Sequence, residues 1–236
     1  MIVSLDNTWR SELLFNPARN GQGKLQGLEI LVNFAGVDND VRTPTELILP
    51  RLSPQEMLSL FSEQLALLEA CKLFFIQHQL LAWININPVI VEALLTNAEL
   101  AAEVERFPFL EFTINENFPD LNKGRENHAL VQLTERYSLI LANFGAGTVS
   151  TRAVFDGLFN RVALDKNFFH HQLTSRAFEP FMRAIVSQVR PYCRSVMIAG
   201  VDTEQMLKRV APFHFSAMQG SLWPAVSASA ITTLVQ

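Results

Sequence analysis

Eight short β-rich runs, separated by helical patterns over roughly 220 of the 236 residues, predict an α/β fold of the (β/α)8-barrel type. Two further observations support that class. The helix starts between the runs carry capping signals. No long Gly-, Ser- or Pro-rich linker and no internal repeat divides the chain, so residues 1–236 read as a single domain. A doubly wound open sheet is the competing arrangement.

Taken in order, the expected strands are Leu13–Pro17, Leu25–Val32, Leu81–Ile86, Phe109–Ile114, Ser138–Leu141, Arg161–Leu164, Ser195–Ile198 and Phe215–Met218. Ser53-Pro54-Gln55-Glu56 is a capping box with Pro at the first helical position, opening a helix expected to reach about Ala70. Asp202-Thr203-Glu204-Gln205 marks a similar start, for a helix that ends before Pro212. Phe178, Phe181, Ile185 and Val189 recur at helical spacing after Ser175.

Composition bounds the partners. Aliphatic and aromatic residues make up 49% of the chain and charged residues 18%, which is apolar and far from a disordered composition. The 18 Phe suit a large core, with a protein interface as the other place for some of them. Net charge is −4 and the pI about 5.7, with no cluster of Lys and Arg that would displace counterions from a duplex, so direct nucleic-acid binding is not expected. No run of apolar residues is long enough for a membrane helix, and Met1–Asp6 does not read as a signal peptide. Cys71 and Cys193 then read as reduced core thiols of a cytoplasmic protein.

In a barrel, chemistry sits at the C-terminal ends of the strands. Those positions offer Glu29, Asn85, Asn115 with Glu116, Asn143, Asp165, Asp202 and Gln219, a set rich in amides and short of carboxylates.

Seven blocks, in order, carry a family likeness. Leu141-Ala142-Asn143-Phe144-Gly145-Ala146-Gly147 resembles the L-D-D-F-G-T-G loop of EAL-domain cyclic-di-GMP phosphodiesterases. Glu29-Ile30-Leu31 stands at the E-A-L signature and Trp83-Ile84-Asn85-Ile86-Asn87-Pro88 at S-V-N-L-S-P. Leu110-Glu111-Phe112-Thr113-Ile114-Asn115-Glu116-Asn117 resembles L-E-L-E-I-T-E-S, and Arg161-Val162-Ala163-Leu164-Asp165 resembles Y-I-K-I-D. The run from Val196 to Thr203 stands for V-I-A-E-G-V-E-T, and Gln219-Gly220-Ser221-Leu222 for Q-G-Y-L. The resemblance implies a modified (β/α)8 TIM barrel of the EAL-domain type spanning nearly the whole chain.

It also implies which positions should hold divalent metal. Such a site needs several hard oxygen ligands, mostly anionic, to stabilise phosphoryl oxygens and activate water. Glu29, Asn85 and Asp165 are kept. The other positions are Thr113, Ala142, Asn143, Ala163, Ala199 and a shortened Asp202, while the phosphate-facing arginine is Asn33 and a substrate-contacting glutamine is Asn16. The expectation is therefore no catalysis, no metal, no cofactor and no cyclic-di-GMP binding. Rescue by Glu111 or Glu116 repairs only one of several losses; Glu111 would face the same side as Thr113, one step further down the barrel.

Other polar features receive plainer readings. His170-His171 reads as a solvated loop, since adjacent side chains point apart. Gly145-Ala146-Gly147 could cradle a phosphate but reads as a retained turn. Asn115–Pro119 reads as a strand exit and turn, and Trp223-Pro224 as packing at the barrel's bottom or rim.

The finer pattern, Ile114–Asn117, Ala142–Gly147, Val154–Phe159 and the ending Thr232-Thr233-Leu234-Val235-Gln236, is similar to degenerate EAL proteins of the anti-flagellar type. That resemblance implies binding to the FlhD–FlhC flagellar activator through its FlhD subunit, interference with its action at promoter DNA, and repression of motility. A cyclic-di-GMP receptor or a residual phosphodiesterase is the alternative. A barrel enzyme with another substrate is disfavoured by the lack of a Ser–His or Cys–His set at the strand ends. The sequence leaves the partner-binding surface open between the outer helices and the vacated strand-end face.

Overall fold

The computed structural model describes residues 1–5, 7–37, 42–147 and 151–235. Its first elements are strands β1 (Ile2–Ser4), β2 (Thr8–Arg19), β3 (Leu25–Gly36) and β4 (Arg42–Thr43), then a helical turn α1 (Thr45–Ile48) and the long helix α2 (Pro54–His78). There follow β5 (Leu81–Asn85), α3 (Pro88–Thr96), α4 (Ala98–Glu105), β6 (Leu110–Asn115), α5 (His128–Arg136), β7 (Leu139–Phe144) and α6 (Thr151–Phe155). The chain ends with β8 (Arg161–Leu164), α7 (Lys166–Leu173), α8 (Phe178–Val189), β9 (Ser195–Ala199), α9 (Glu204–Val210) and β10 (Met218–Gln219).

Strands β3, β5, β6, β7, β8, β9 and β10 lie parallel in that order. The sheet then closes through β2, which pairs antiparallel with both β3 and β10, giving an eight-strand barrel with helices outside it. The barrel departs from a regular (β/α)8 arrangement in this one antiparallel strand. The expected first strand, Leu13–Pro17, is the middle of a twelve-residue arm of a hairpin. Its turn is set by Asn20, whose Oδ1 accepts from the Gln22 and Lys24 amides, the kind of local bond that makes Asn a turn residue. The expected last strand shrinks to Met218–Gln219, the preceding residues holding β9 through Ser216 N and Oγ to Val196 O and through Ile198 N to Ala217 O.

Ser53 caps α2 as the sequence requires: its Oγ accepts from the Glu56 amide while Glu56 Oε2 accepts from the Ser53 amide. The helix runs past Ala70 to His78, because nothing between them breaks it, and it stops at Gln79 in the left-handed region. In the last helix of the barrel, Thr203 is the cap, accepting from Met206 N.

Alternation along each strand sorts the two sides of the barrel wall. On β6, Leu110, Phe112 and Ile114 join the core between sheet and helices, while Glu111, Thr113 and Asn115 face inward. The barrel's middle is packed by Ala18, Trp83, Ile140, Met197 and Ala217. Gly27 makes room for that layer: a Cβ there would sit 2.8 Å from the Trp83 ring and from the Leu81 carbonyl. Each of the fully buried Phe and Leu side chains outside the wall contributes about 1.5–3 kcal/mol.

Below Trp83 lies a polar layer in which Glu111 is buried and Arg161, Ser138 and Ser195 are half-buried. Glu111 accepts from Trp83 Nε1 (3.0 Å), Ser138 Oγ (3.0 Å) and Arg161 Nε (2.8 Å), and Arg161 Nη1 donates to Ser195 (2.8 Å). Removing one partner of such a pair leaves an uncompensated charge in the interior. Arg161→Met should therefore lower stability by about 3 kcal/mol, and adding Glu111→Gln should recover much of it. Urea midpoints at constant slope provide the measurement.

Candidate functional site

The mouth of the barrel is a cleft of about 240 Å³, lined by residues that include Glu29, Asn143, Ala163, Lys166, Asp202 and Gln219. Glu29 does not end its strand. It sits where β3 leaves β5 and continues as a hairpin with β2, so Asn16 lies directly opposite it. Gln219 Nε2 donates to Glu29 Oε2 at 3.0 Å and Asn16 Nδ2 at 3.4 Å. Burial pushes the Glu29 carboxyl above its ordinary value, and these two amides only partly offset it.

A row of amides occupies the next wall. Asn85 Nδ2 donates to Thr113 Oγ1 (3.1 Å) and to Asn115 Oδ1 (3.3 Å), and Asn143 Nδ2 donates to the same Asn115 oxygen (3.1 Å). These groups bond to one another without any charge. Opposite them, Ala142, Ala163 and Ala199 present methyl groups to the cleft.

The remaining acids are engaged. Asp165, a retained family position at a strand end, caps α7, its Oδ1 accepting from Phe168 N (2.8 Å). Asp202 Oδ1 accepts from both Ser221 N (2.7 Å) and Ser221 Oγ (2.9 Å), and its Oδ2 lies 3.6 Å from Lys166 Nζ and 3.4 Å from His170 Nε2. Burial works to raise that carboxyl, but Ser221, Lys166 and His170 outweigh it and hold Asp202 below the usual carboxylate range. The loops carrying Asp202 and Ser221 touch so closely that a Cβ at Gly220 would lie 2.2 Å from the Val201 carbonyl.

Two plain readings need amendment. His170 and His171 lie on α7 rather than in a loop: His170 Nε2 meets the Gly200 carbonyl at 2.7 Å, while His171 is exposed. The Gly145-Ala146-Gly147 turn does cradle an anion, its own Glu116, whose Oε2 accepts from Gly147 N at 3.3 Å. Burial raises the Glu116 carboxyl, the amides of residues 147, 146 and 145 oppose this, and Asp165 adds to it. Asn115–Pro119 is the expected exit and turn, with Phe118 N bonded to Asn115 O. Cys71 and Cys193 are free thiols packed against the core, both pushed up by burial.

No three His, Cys, Asp or Glu side chains converge as metal ligands among the described residues. Glu111 is held one layer down by Arg161, and Glu116 is held by its turn, so neither supplies the missing donors. Glu29 and an already engaged Asp202, among amides and methyls, do not fit a pair of hard divalent ions.

Comparison with known proteins places these features. Residues 6–225 match the family model described as EAL domain. The chain is 54% identical, over its full length and the relative's, to the "Anti-FlhC(2)FlhD(4) factor YdiV" of Salmonella typhimurium (strain LT2). It is 46% identical over both full lengths to the "Putative anti-FlhC(2)FlhD(4) factor YdiV" of Escherichia coli (strain K12). A crystal structure described as "EAL-like domain protein YdiV" superimposes with a TM-score of 0.90 at 46% identity, covering 99% of this chain and 100% of the other.

The raised carboxyl of Glu29 has a consequence for stability. With a folded value above the unfolded 4.5, its contribution is fully present below about pH 4.5 and is lost as pH rises through the folded value. Glu29→Gln loses no proton, so its melting temperature should match wild type in acid and exceed it increasingly as pH rises, as thermal unfolding across a pH series would record.

Proposed function

The chain belongs to the EAL-domain family, and on that premise we propose that it is a non-enzymatic regulator of the anti-FlhC(2)FlhD(4) type. In this reading it is a single degenerate EAL domain, residues 1–236, acting in the cytoplasm. It binds the FlhD–FlhC activator through FlhD, blocks its action at promoter DNA, and represses flagellar genes and motility. The observation that carries the reading is full-length identity of 54% to relatives bearing that name. No helix among the described residues is long and apolar enough to cross a membrane, which agrees with a partner in solution.

The geometry of the mouth supports the loss of enzyme function. Phosphodiester cleavage on this scaffold needs anionic ligands at the positions of Thr113, Ala142, Asn143 and Ala199, and neutral groups stand there. A phosphate-facing arginine is replaced by Asn33, so a charged phosphate contact worth about 1.5–3 kcal/mol is also missing. Cyclic-di-GMP and nucleic acid are accordingly outside the ligand set.

Isothermal titration tests both halves. Purified FlhD–FlhC should give a saturable heat, and cyclic-di-GMP with Mg²⁺ should give none up to millimolar concentration. Nucleotide binding in the micromolar range, with silence from the activator, would return the protein to the signalling-nucleotide class.

A further inference from the structure

Two carboxylates line the cleft. One, Asp202, is met by Lys166, His170 and Ser221. The other is Glu29. Its Oε2 takes two neutral amides, its Oε1 accepts no hydrogen bond among the described residues, and no cationic side chain among them reaches it. A carboxylate drawn out of water without a counter-charge gains from meeting one.

The surroundings of Glu29 narrow what that counter-charge can be. A divalent ion needs several oxygen ligands, and the cleft brings two carboxylates, of which Asp202 is already engaged by Ser221, Lys166 and His170. The volume of about 240 Å³ is below the roughly 300–1,000 Å³ of ordinary small-molecule sites and is of the size of a side chain. Ala142, Ala163, Ala199 and Met197 make apolar walls suited to a hydrocarbon stem that ends in a charge. Beside them, Asn143 Oδ1 is a second acceptor with no hydrogen bond from the described residues, its Nδ2 being committed to Asn115. Lys166, the cation on the rim, is neutralised by Asp202 and does not repel a second positive group.

We propose that the barrel mouth is a receptor for one basic side chain, a lysine or arginine presented by the protein partner. The face left vacant by the missing metal ligands is thereby a docking surface. This assignment rests on the reading of the chain as a binder of FlhD–FlhC. Charge favours such a contact: the chain has net charge −4, and proteins that act on DNA as a class present basic residues. The ammonium or guanidinium donates to Glu29 Oε1, and a guanidinium has donors left for Asn143.

Calorimetric titration of purified FlhD–FlhC into wild type, Glu29→Gln and Ala163→Lys tests it. The first variant keeps the shape and removes the charge; the second places an ammonium of the protein's own in the cleft. Both should bind at least about tenfold more weakly than wild type, with the salt dependence reduced in Glu29→Gln and its melting temperature not lowered. Wild type binding while Glu29→Gln binds within twofold of it would overturn the inference and leave the regulator reading intact. Absence of heat from wild type would instead sink the regulator reading. Putrescine or arginine methyl ester binding to wild type but not to Glu29→Gln, with activator binding unchanged by the substitution, would also overturn the assignment, in favour of a free amine.

Discussion

Strand β2 hydrogen-bonds antiparallel to β3 on one side and to β10 on the other, and that pair of ladders turns an open sheet into a barrel. Everything at the mouth depends on this closure. It sets Asn16 of β2 opposite Glu29 of β3, and it brings Gln219 of β10 to the same carboxylate from the far side. Three strands that are distant or reversed in sequence thus converge on one side chain. The contact between β10 and β2 is short, a single registered pair, Met218 with Arg19. It is reinforced by the chain's end: Val226 exchanges backbone bonds with Phe15, and Arg19 Nη2 donates to Leu234 O.

Within that frame, charge is distributed unevenly along the barrel axis. The lower layer keeps an ion pair, Glu111 with Arg161, fully supplied with hydrogen bonds by Trp83, Ser138 and Ser195. The upper layer has shed charge: amides bond to amides, and methyls stand where the family has acids and a lysine. The lower layer keeps a charge that is paired and hydrogen-bonded, and in the upper layer a cluster of like charges without metal would repel itself. Neutral residues at Thr113, Ala142, Asn143 and Ala199 spare the mouth that repulsion.

The sequence made much of this legible. Seven of the eight expected runs lie largely within barrel strands, and the Ser53 and Thr203 helix starts fall where capping chemistry puts them. Strand direction was not legible, because a run such as Leu13–Pro17 has the same pattern whichever way it pairs, and only the short turn at Asn20 implies a hairpin. The roles of retained acids were hidden for a related reason. Asp165 and Glu116 match family positions, yet whether such a group faces the cleft, caps a helix or fills a turn depends on loops whose course motif spacing does not encode. Asn143 illustrates a signal that was present: its φ is 58°, a left-handed conformation that Asn adopts at little cost and Ala does not. Its neighbour Ala142 has no positive φ, although the pairing of β7 with β8 is irregular there, so no such demand applies.

The account turns on the claim that the scaffold is intact and only the anionic ligands are gone. Electron paramagnetic resonance of Mn²⁺ titrated into wild type and into the Thr113→Glu/Ala142→Asp/Asn143→Asp/Ala199→Glu variant measures this directly. The account predicts that the wild-type spectrum remains that of free aqueous Mn²⁺ to millimolar concentration, while the variant binds the ion. A saturable Mn²⁺ site of micromolar affinity in the wild type would contradict it.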